Sequence, residues 1–289
     1  MKTEPTLKFW GVRGSIPTPG PDTVKVGGNT SCVELRADGE HIVLDAGSGL
    51  RPLGRSLSSE FGDRALNITL LITHTHWDHI QGFPFFVPAY NPKNRVRILG
   101  YEGARKDLQD TLAGQMESPY FPIALAQMPG NIVIEELKSL DFQIGTISGK
   151  ACHVNHPGVC VGYRLETTAG SVCYIPDHES GPPMPPGTAD HTVDALVIQF
   201  IQNADHLILD SQYTAEEYRT HVGWGHGCLD NVVRVAIAGN VKRLYLFHHD
   251  PSHDDAFLEA MLAHAQQLAG SAIKISLARE GDEFVLGAG

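Results

Sequence analysis

The chain has 289 residues, of which 42% are hydrophobic and 19% charged, with a net charge of −11 and 15 histidines. That composition is ordinary for a soluble globular protein, and no apolar run approaches the roughly 18 residues that a membrane span requires. The acidic balance argues against a long nucleic acid as main partner, because such binding draws on lysines and arginines set against phosphates.

The opening residues MKTEPTLKFWGVRG lack the basic, then apolar, then small-residue layout of a secretory leader, so a cytoplasmic chain beginning in a strand is expected. Residues 6–11, 31–37 and 41–47 have β-rich, partly alternating patterns punctuated by Gly, Pro and Asn. NITLLITH, 67–74, is a continuous apolar run suited to a central strand covered on both faces. The periodicity of 103–116 predicts an amphipathic helix. After the Pro-rich stretch 118–130, strands are expected at 131–137, 143–154, 159–167 and 171–177. Helices at 192–204, 214–222, 229–239 and 254–269 then alternate with strands at 206–210, 241–249, 271–278 and 282–287. The stretch 179–191 reads as a surface loop rather than a boundary. Two strand-rich halves with flanking helices predict an α/β fold, a four-layer αββα sandwich, in one domain over 1–289.

The five cysteines (Cys32, Cys152, Cys160, Cys173, Cys228) are scattered and form no CxxC pair, so buried free thiols in a reducing compartment are expected. The histidines are not scattered. In THTHWDH, His74 and His76 stand two apart at a strand terminus and point the same way, and Asp78 and His79 follow where the chain turns. Four donors in six residues exceed what one tetrahedral ion takes from a local segment; they suit two ions completed by donors from elsewhere.

THTHWDH resembles the signature of the metallo-β-lactamase-fold hydrolases. Together with GVRGSIPTPG, GGNTSCVEL and IVLDAGSGL, the chain resembles their ribonuclease Z-like and cyclic-nucleotide-phosphodiesterase-like branch over nearly its whole length. The resemblance implies an αββα fold with a dinuclear centre at one edge, Asp45 beside it, and a homodimer. It also implies three more ligands: His156 in NHPGVCVGYRL, Asp177 in CYIPDHE and His248 in LYLFHHDP. His153 is the rival of His156, but should lie within its strand; His249 should face away from His248. The implied partition sets His74, His76 and His156 on one ion and Asp78, His79 and His248 on the other, bridged by Asp177 and a water. An imidazole and carboxylate set favours zinc, with manganese the alternative because no thiolate biases the site.

Two such ions would supply hydroxide at neutral pH and neutralise a phosphodiester, but not protonate the leaving alkoxide. His226, after GWG, matches the branch's extra catalytic histidine, and Asp210 matches the acid that orients it. The bland readings are a helix-capping histidine and a strand-end turn carboxylate. HHDPSHDD reads as the cap of the last helix, with Asp250, His253 and Asp254, rather than a second metal site. GGNTS, lacking a lysine and an ensuing helix, reads as a turn and not a phosphate loop. Trp77, Phe83, Phe85 and Phe86 could wall a base pocket, although aromatics after an apolar strand are more often core. QMESPYFP, 115–122, reads as a loop near the mouth.

The expected activity is hydrolysis of a small, cyclic nucleotide phosphodiester through a metal-bridging hydroxide, with Asp78, His226 and Asp210 as catalytic residues. The alternatives are a ribonuclease Z-like endonuclease, against which the lack of a basic, Gly-Pro-rich arm in 178–221 argues, and a lactonase or thioester hydrolase on the same site. A ligand-binding member without catalysis would be expected to lack one of the seven ligands, and none is missing.

Overall fold

Two seven-stranded mixed sheets pack against each other in the computed structural model, which describes residues 4–101, 107–181 and 193–287. The first sheet contains β1 (Thr6–Gly11), β2 (Cys32–Ala37), β3 (Glu40–Leu44), β4 (Asn67–Ile72), β5 (Arg95–Gly100) and β6 (Asn131–Glu136). The second contains β7 (Asp141–Ile144), β8 (Ile147–His153), β9 (Val161–Thr167), β10 (Gly170–Ile175), β11 (His206–Asp210), β12 (Arg243–Phe247) and β13 (Lys274–Leu277). The last strand, β14 (Glu283–Val285), returns to the first sheet, giving the orders β14-β1-β2-β3-β4-β5-β6 and β13-β12-β11-β10-β9-β8-β7. Among the described residues seven α-helices punctuate the strands: α1 (Leu50–Phe61), α2 (Trp77–Ile80), α3 (Leu108–Gly114), α4 (Val193–Phe200), α5 (Ala215–His221), α6 (Leu229–Ala238) and α7 (Asp255–Ala269).

Strand alternation explains the layering. On β4, Leu71 enters the core shared by both sheets, with Leu44, Tyr163 and Ile175, while Ile68, Leu70 and Ile72 pack outward with Leu53 and Leu57 of α1 and with Phe83 and Phe86. Both faces are therefore buried, which is why this strand needs an unbroken apolar run. Each such side chain contributes roughly 1.5–3 kcal/mol of burial. Val232 and Val235 of α6 and Leu258 and Met261 of α7 join the core on the other sheet. The expected αββα sandwich is the fold observed.

Two differences are local. The expected strand 143–154 is a hairpin: Gly145, at φ +55°, turns β7 into β8, and apolar residues on both sides of the turn hid it from the pattern. The expected surface loop 179–191 begins with Glu179 and Ser180 buried; residues 182–191 lie outside the described residues, as do residues 103–106 of the predicted helix 103–116. Four of the five cysteines are buried and all are free. Among the described residues no helix is long and apolar enough to cross a membrane.

Strands β3 to β6 run parallel, as do β10 to β13. The carboxyl ends of β3, β4, β10, β11 and β12 meet at one edge; Asp210 is the last residue of β11, and Asp45, His74, Asp177 and His248 follow the other four strands. Residues leaving strand ends are free of the sheet ladder and so available for chemistry.

Candidate metal centre

Past β4 the chain bends at Thr73 and reaches an extended His76 at the N-cap of α2, and Asp78 and His79 lie in that single helical turn. His74 Nε2 lies 2.9 Å from His76 Nδ1, and His156 Nε2 lies 3.1 Å from the same atom. Asp78 Oδ2 is 3.2 Å from both His79 Nε2 and His248 Nε2. Asp177 stands between the two groups. Its Oδ1 is 3.0 Å from His79 Nε2 and 3.4 Å from His248 Nε2, and its Oδ2 is 3.8 Å from His74 Nε2 and 3.7 Å from His156 Nε2.

A tetrahedral ion with bonds of about 2.0–2.1 Å separates its donor atoms by about 3.3–3.4 Å, the range these distances straddle. Two atoms make the same point: His79 Nε2 and Asp177 Oδ1 are buried and, although close, have no hydrogen-bond partner. They are aimed at a common point rather than at each other, and a cation there would satisfy both. His74, His76 and His156 form one group able to hold a metal ion, and Asp78, His79 and His248 another. The field favours a cation. Burial penalises charge on His79, yet Asp177, Asp78 and Asp45 pull its pKa well above the ordinary histidine value. Burial would raise the Asp177 pKa, and the surrounding His248, His79 and His74 hold it well below the usual carboxylate range.

The outer ring nitrogens are held as carefully as the inner ones. Asp45, fully buried at φ +60°, bonds His79 Nδ1 at 2.8 Å and accepts from Thr73 N–H at 2.8 Å and the Tyr174 hydroxyl at 2.9 Å. His248 also takes a left-handed backbone, φ +60°, as it leaves β12. Its Nδ1 meets Gln212 Oε1 at 3.0 Å, and Gln212 is held by Asp250. His156 Nδ1 meets the Gly225 carbonyl at 2.9 Å. Such partners fix which nitrogen each imidazole presents. Asp45→Ala is expected to weaken metal affinity about 10–100-fold and, by stranding the Tyr174 hydroxyl, to cost about 1–3 kcal/mol of stability; metal titration and thermal unfolding measure the two effects.

Beside the cluster, His226 Nδ1 bonds Asp210 Oδ2 at 2.9 Å, and the His226 ring stacks on His248 with centroids 4.9 Å apart. Burial lowers the His226 pKa, but the charge and hydrogen bond of Asp210, with Asp177 and Asp78, outweigh it and raise the value to about 9. A cavity of about 450 Å³ opens over His76, Asp78, Asp177 and His226, lined also by Ser15, Thr75 and Trp77.

A family model described as a β-lactamase superfamily domain matches residues 40–249, a span that contains every residue of the cluster. The chain belongs to the β-lactamase superfamily. A ribonuclease Z of Natronomonas pharaonis is 26% identical to this superfamily member, over 87% of this chain and 92% of its own length. The metallo-β-lactamase fold protein YhfI of Bacillus subtilis shares the fold at a TM-score of 0.69 and 16% identity, covering 98% of this chain and 99% of its own. The short form of human tRNase Z does so at 0.65 and 19%, covering 97% and 99%. The chain is a hydrolase of the metallo-β-lactamase superfamily.

All nine residues singled out in the sequence of this superfamily hydrolase gather at one edge. His153 does not: it ends β8 against the Tyr101 ring. His249 faces away, its Nε2 on the Ala278 carbonyl, and burial pushes its pKa down to about 3. Asp254 caps α7 through Phe257 N–H, as expected of HHDPSHDD. Phe83 and Phe86 are core residues and do not wall a pocket; Phe85 packs on Phe121 at the surface, and Trp77, 76% exposed, stands at the mouth. Gln115, in the stretch expected near the mouth, donates to the Ile80 carbonyl of α2.

The sequence reading missed several residues. Ser15 N–H donates to Asp78 Oδ2 at 2.8 Å, and Gly14 is so close to His248 that a Cβ would sit 2.4 Å from its Nδ1. Cys160 touches His74 at Nδ1, on the side away from the cluster, and its thiol pKa is raised by burial, so it adds no thiolate donor. Gln212 and Glu179 were also missed: each acts through hydrogen bonds to distant loops, which no local spacing records.

Proposed function

We propose that this hydrolase is a dinuclear, metal-dependent phosphodiesterase acting on small nucleotide phosphodiesters, cyclic ones foremost. The observation that carries the reading is the position of Asp177, one oxygen turned to each of two three-donor groups, with the Asp210–His226 pair alongside. His74 Nε2, His76 Nδ1 and His156 Nε2 would hold one ion, and Asp78 Oδ2, His79 Nε2 and His248 Nε2 the other. Zinc suits this imidazole-rich donor set, and manganese is the alternative. When bound, the ions supply Lewis acidity and a nucleophile at neutral pH.

The chain's own residues do the rest. Asp78, besides holding a cation, is fixed by the Ser15 amide at the floor of the cavity. His226, its Nδ1 engaged by Asp210, keeps Nε2 for donating a proton to the leaving alkoxide. Trp77 offers an exposed aromatic face on which a base can stack.

A ribonuclease Z-like endonuclease is the second reading, favoured by the ribonuclease Z relative that spans most of the chain. That relative runs against the expectation that the acidic balance excludes a long nucleic acid. Net charge sums the whole surface, whereas phosphate binding depends on the charge local to the site, which cations would reverse.

One experiment tests both. After chelation, zinc or manganese is added back and turnover is measured on bis(p-nitrophenyl) phosphate, cyclic mononucleotides, cyclic dinucleotides, precursor transfer RNA and lactones. Metal-restored hydrolysis of cyclic nucleotides is expected. Cleavage of precursor transfer RNA alone would give the second reading, and turnover of lactones alone would overturn both.

A further inference from the structure

The tripeptide Asp177-His178-Glu179 reaches every part of the site. Asp177 lies in the cluster, and the His178 N–H donates to Asp210 Oδ2, the oxygen that also bonds His226. Glu179, 7% exposed, reaches further. Its Oε1 accepts from Gly223 N–H at 2.7 Å and from the Tyr218 hydroxyl at 2.8 Å, and its Oε2 accepts from Gly225 N–H at 2.8 Å. Its own backbone is pinned to Asn155, N–H to carbonyl at 2.8 Å and carbonyl to Nδ2 at 2.9 Å.

The strap it grips has little stiffness of its own. Gly223 and Gly225 sit at φ +86° and +89°, where glycine is free and other residues are strained. A Cβ on Gly225 would lie 2.3 Å from Pro157 Cδ and 2.5 Å from His156 Nδ1, so the close approach needs glycine. Hydrogen bonds to a carboxylate are roughly twice as strong as neutral ones. Two of the three bonds to Glu179 end on this strap, which carries the Gly225 carbonyl to His156 and leads directly into His226.

The geometry points to Glu179 as the positioning residue of the site: by clamping Gly223 and Gly225 it keeps His226 against Asp210 and fixes the nitrogen that His156 presents. This rests on the phosphodiesterase reading above. Glu179 touches no reacting atom; it acts through the strap.

Glu179→Gln keeps the volume but sets an amide NH2 against a backbone N–H, while Tyr218→Phe removes one bond and leaves the clamp on the strap. Both are made in the full chain and read in three ways. Amide exchange at Gly223 and Gly225 is expected to quicken about tenfold or more in Glu179→Gln, and little in Tyr218→Phe. In nitrogen NMR of the metal-free protein, the His156 ring is expected to lose its single tautomer. In the zinc-loaded protein, kcat for diesters with alkyl leaving groups is expected to fall about 10–100-fold, with a smaller loss for p-nitrophenyl diesters and KM nearly constant.

Wild-type exchange rates in Glu179→Gln would overturn the clamp. Faster exchange with the wild-type ratio between alkyl and p-nitrophenyl substrates would overturn the positioning of His226. If Glu179→Gln does not fold, Gly223→Ala, which strains the strap at φ +86° with no atom within 4 Å of the added Cβ, must give the same leaving-group signature or the inference fails. A wild-type chain that hydrolyses no phosphodiester would sink the phosphodiesterase reading, while exchange and ring NMR would still decide the clamp.

Discussion

Asp177→Asn is expected to leave the chain folded, to lower bound metal from two equivalents to one or fewer, and to cut turnover at least about a thousandfold, some 4 kcal/mol of barrier. Asparagine fits the space, but it carries one acceptor oxygen and no charge. Whichever way the amide turns, one of the two groups meets an NH2 where Asp177 now offers an oxygen: His79 with His248, or His74 with His156. The buried field that favours cations also loses a carboxylate. Elemental analysis gives the stoichiometry. Thermal unfolding with and without chelator gives a second measure, since a bound ion stabilises by mass action: the wild-type Tm gap on adding metal should shrink in the variant. Two equivalents retained at wild-type affinity would show that Asp177 is not shared between the groups.

How much of this was legible beforehand depends on the range over which each feature is encoded. The run 67–74 announced a strand buried on both faces because period and composition are local, and the donors of THTHWDH pointed to a metal because they crowd into six residues. His156, Asp177 and His248 are different. Nothing near them in sequence marks them, and only the resemblance to a known family singled them out; the fold explains them by bringing the ends of β10 and β12, and the loop before β9, to the end of β4. Asp45 could be suspected at a strand end, but its grip on His79 spans 34 positions. Glu179 was read into a surface loop because GPPMPPG follows it, whereas its side chain turns inward to a strap 44–46 residues away. The hairpin at Gly145 was missed for the opposite reason: Ile144 and Ile147 continue the apolar pattern through the turn. Net charge is the weakest guide to a partner, because a sum over the surface says nothing of the field at one edge.

The Asp210–His226 pair can be separated from metal binding by one substitution. His226→Ala is expected to keep its full metal content and to lower turnover about 10²–10⁴-fold on diesters whose leaving group is an alkoxide, with a much smaller loss on bis(p-nitrophenyl) phosphate. An alkoxide cannot depart without a proton, whereas p-nitrophenolate leaves unaided, so a plot of log kcat/KM against leaving-group pKa should steepen in the variant. The competing role is ligation, since His226 also lies within reach of His156 with Asp177 and of His248 with Asp210. Ligation predicts a different outcome: metal lost, and all substrates slowed alike. The hydrogen bond decides which outcome is expected. Asp210 Oδ2 occupies His226 Nδ1 at 2.9 Å, while Asp210 is itself anchored by the His178 and Gln212 amides, at 3.1 and 3.0 Å. A carboxylate fixed by two backbone donors and turned to an imidazole holds that ring and its proton in place. Asp210→Asn should therefore reproduce the leaving-group signature of His226→Ala at unchanged metal content, and the double variant should lose little more than either single one, because residues that act as a unit are not additive.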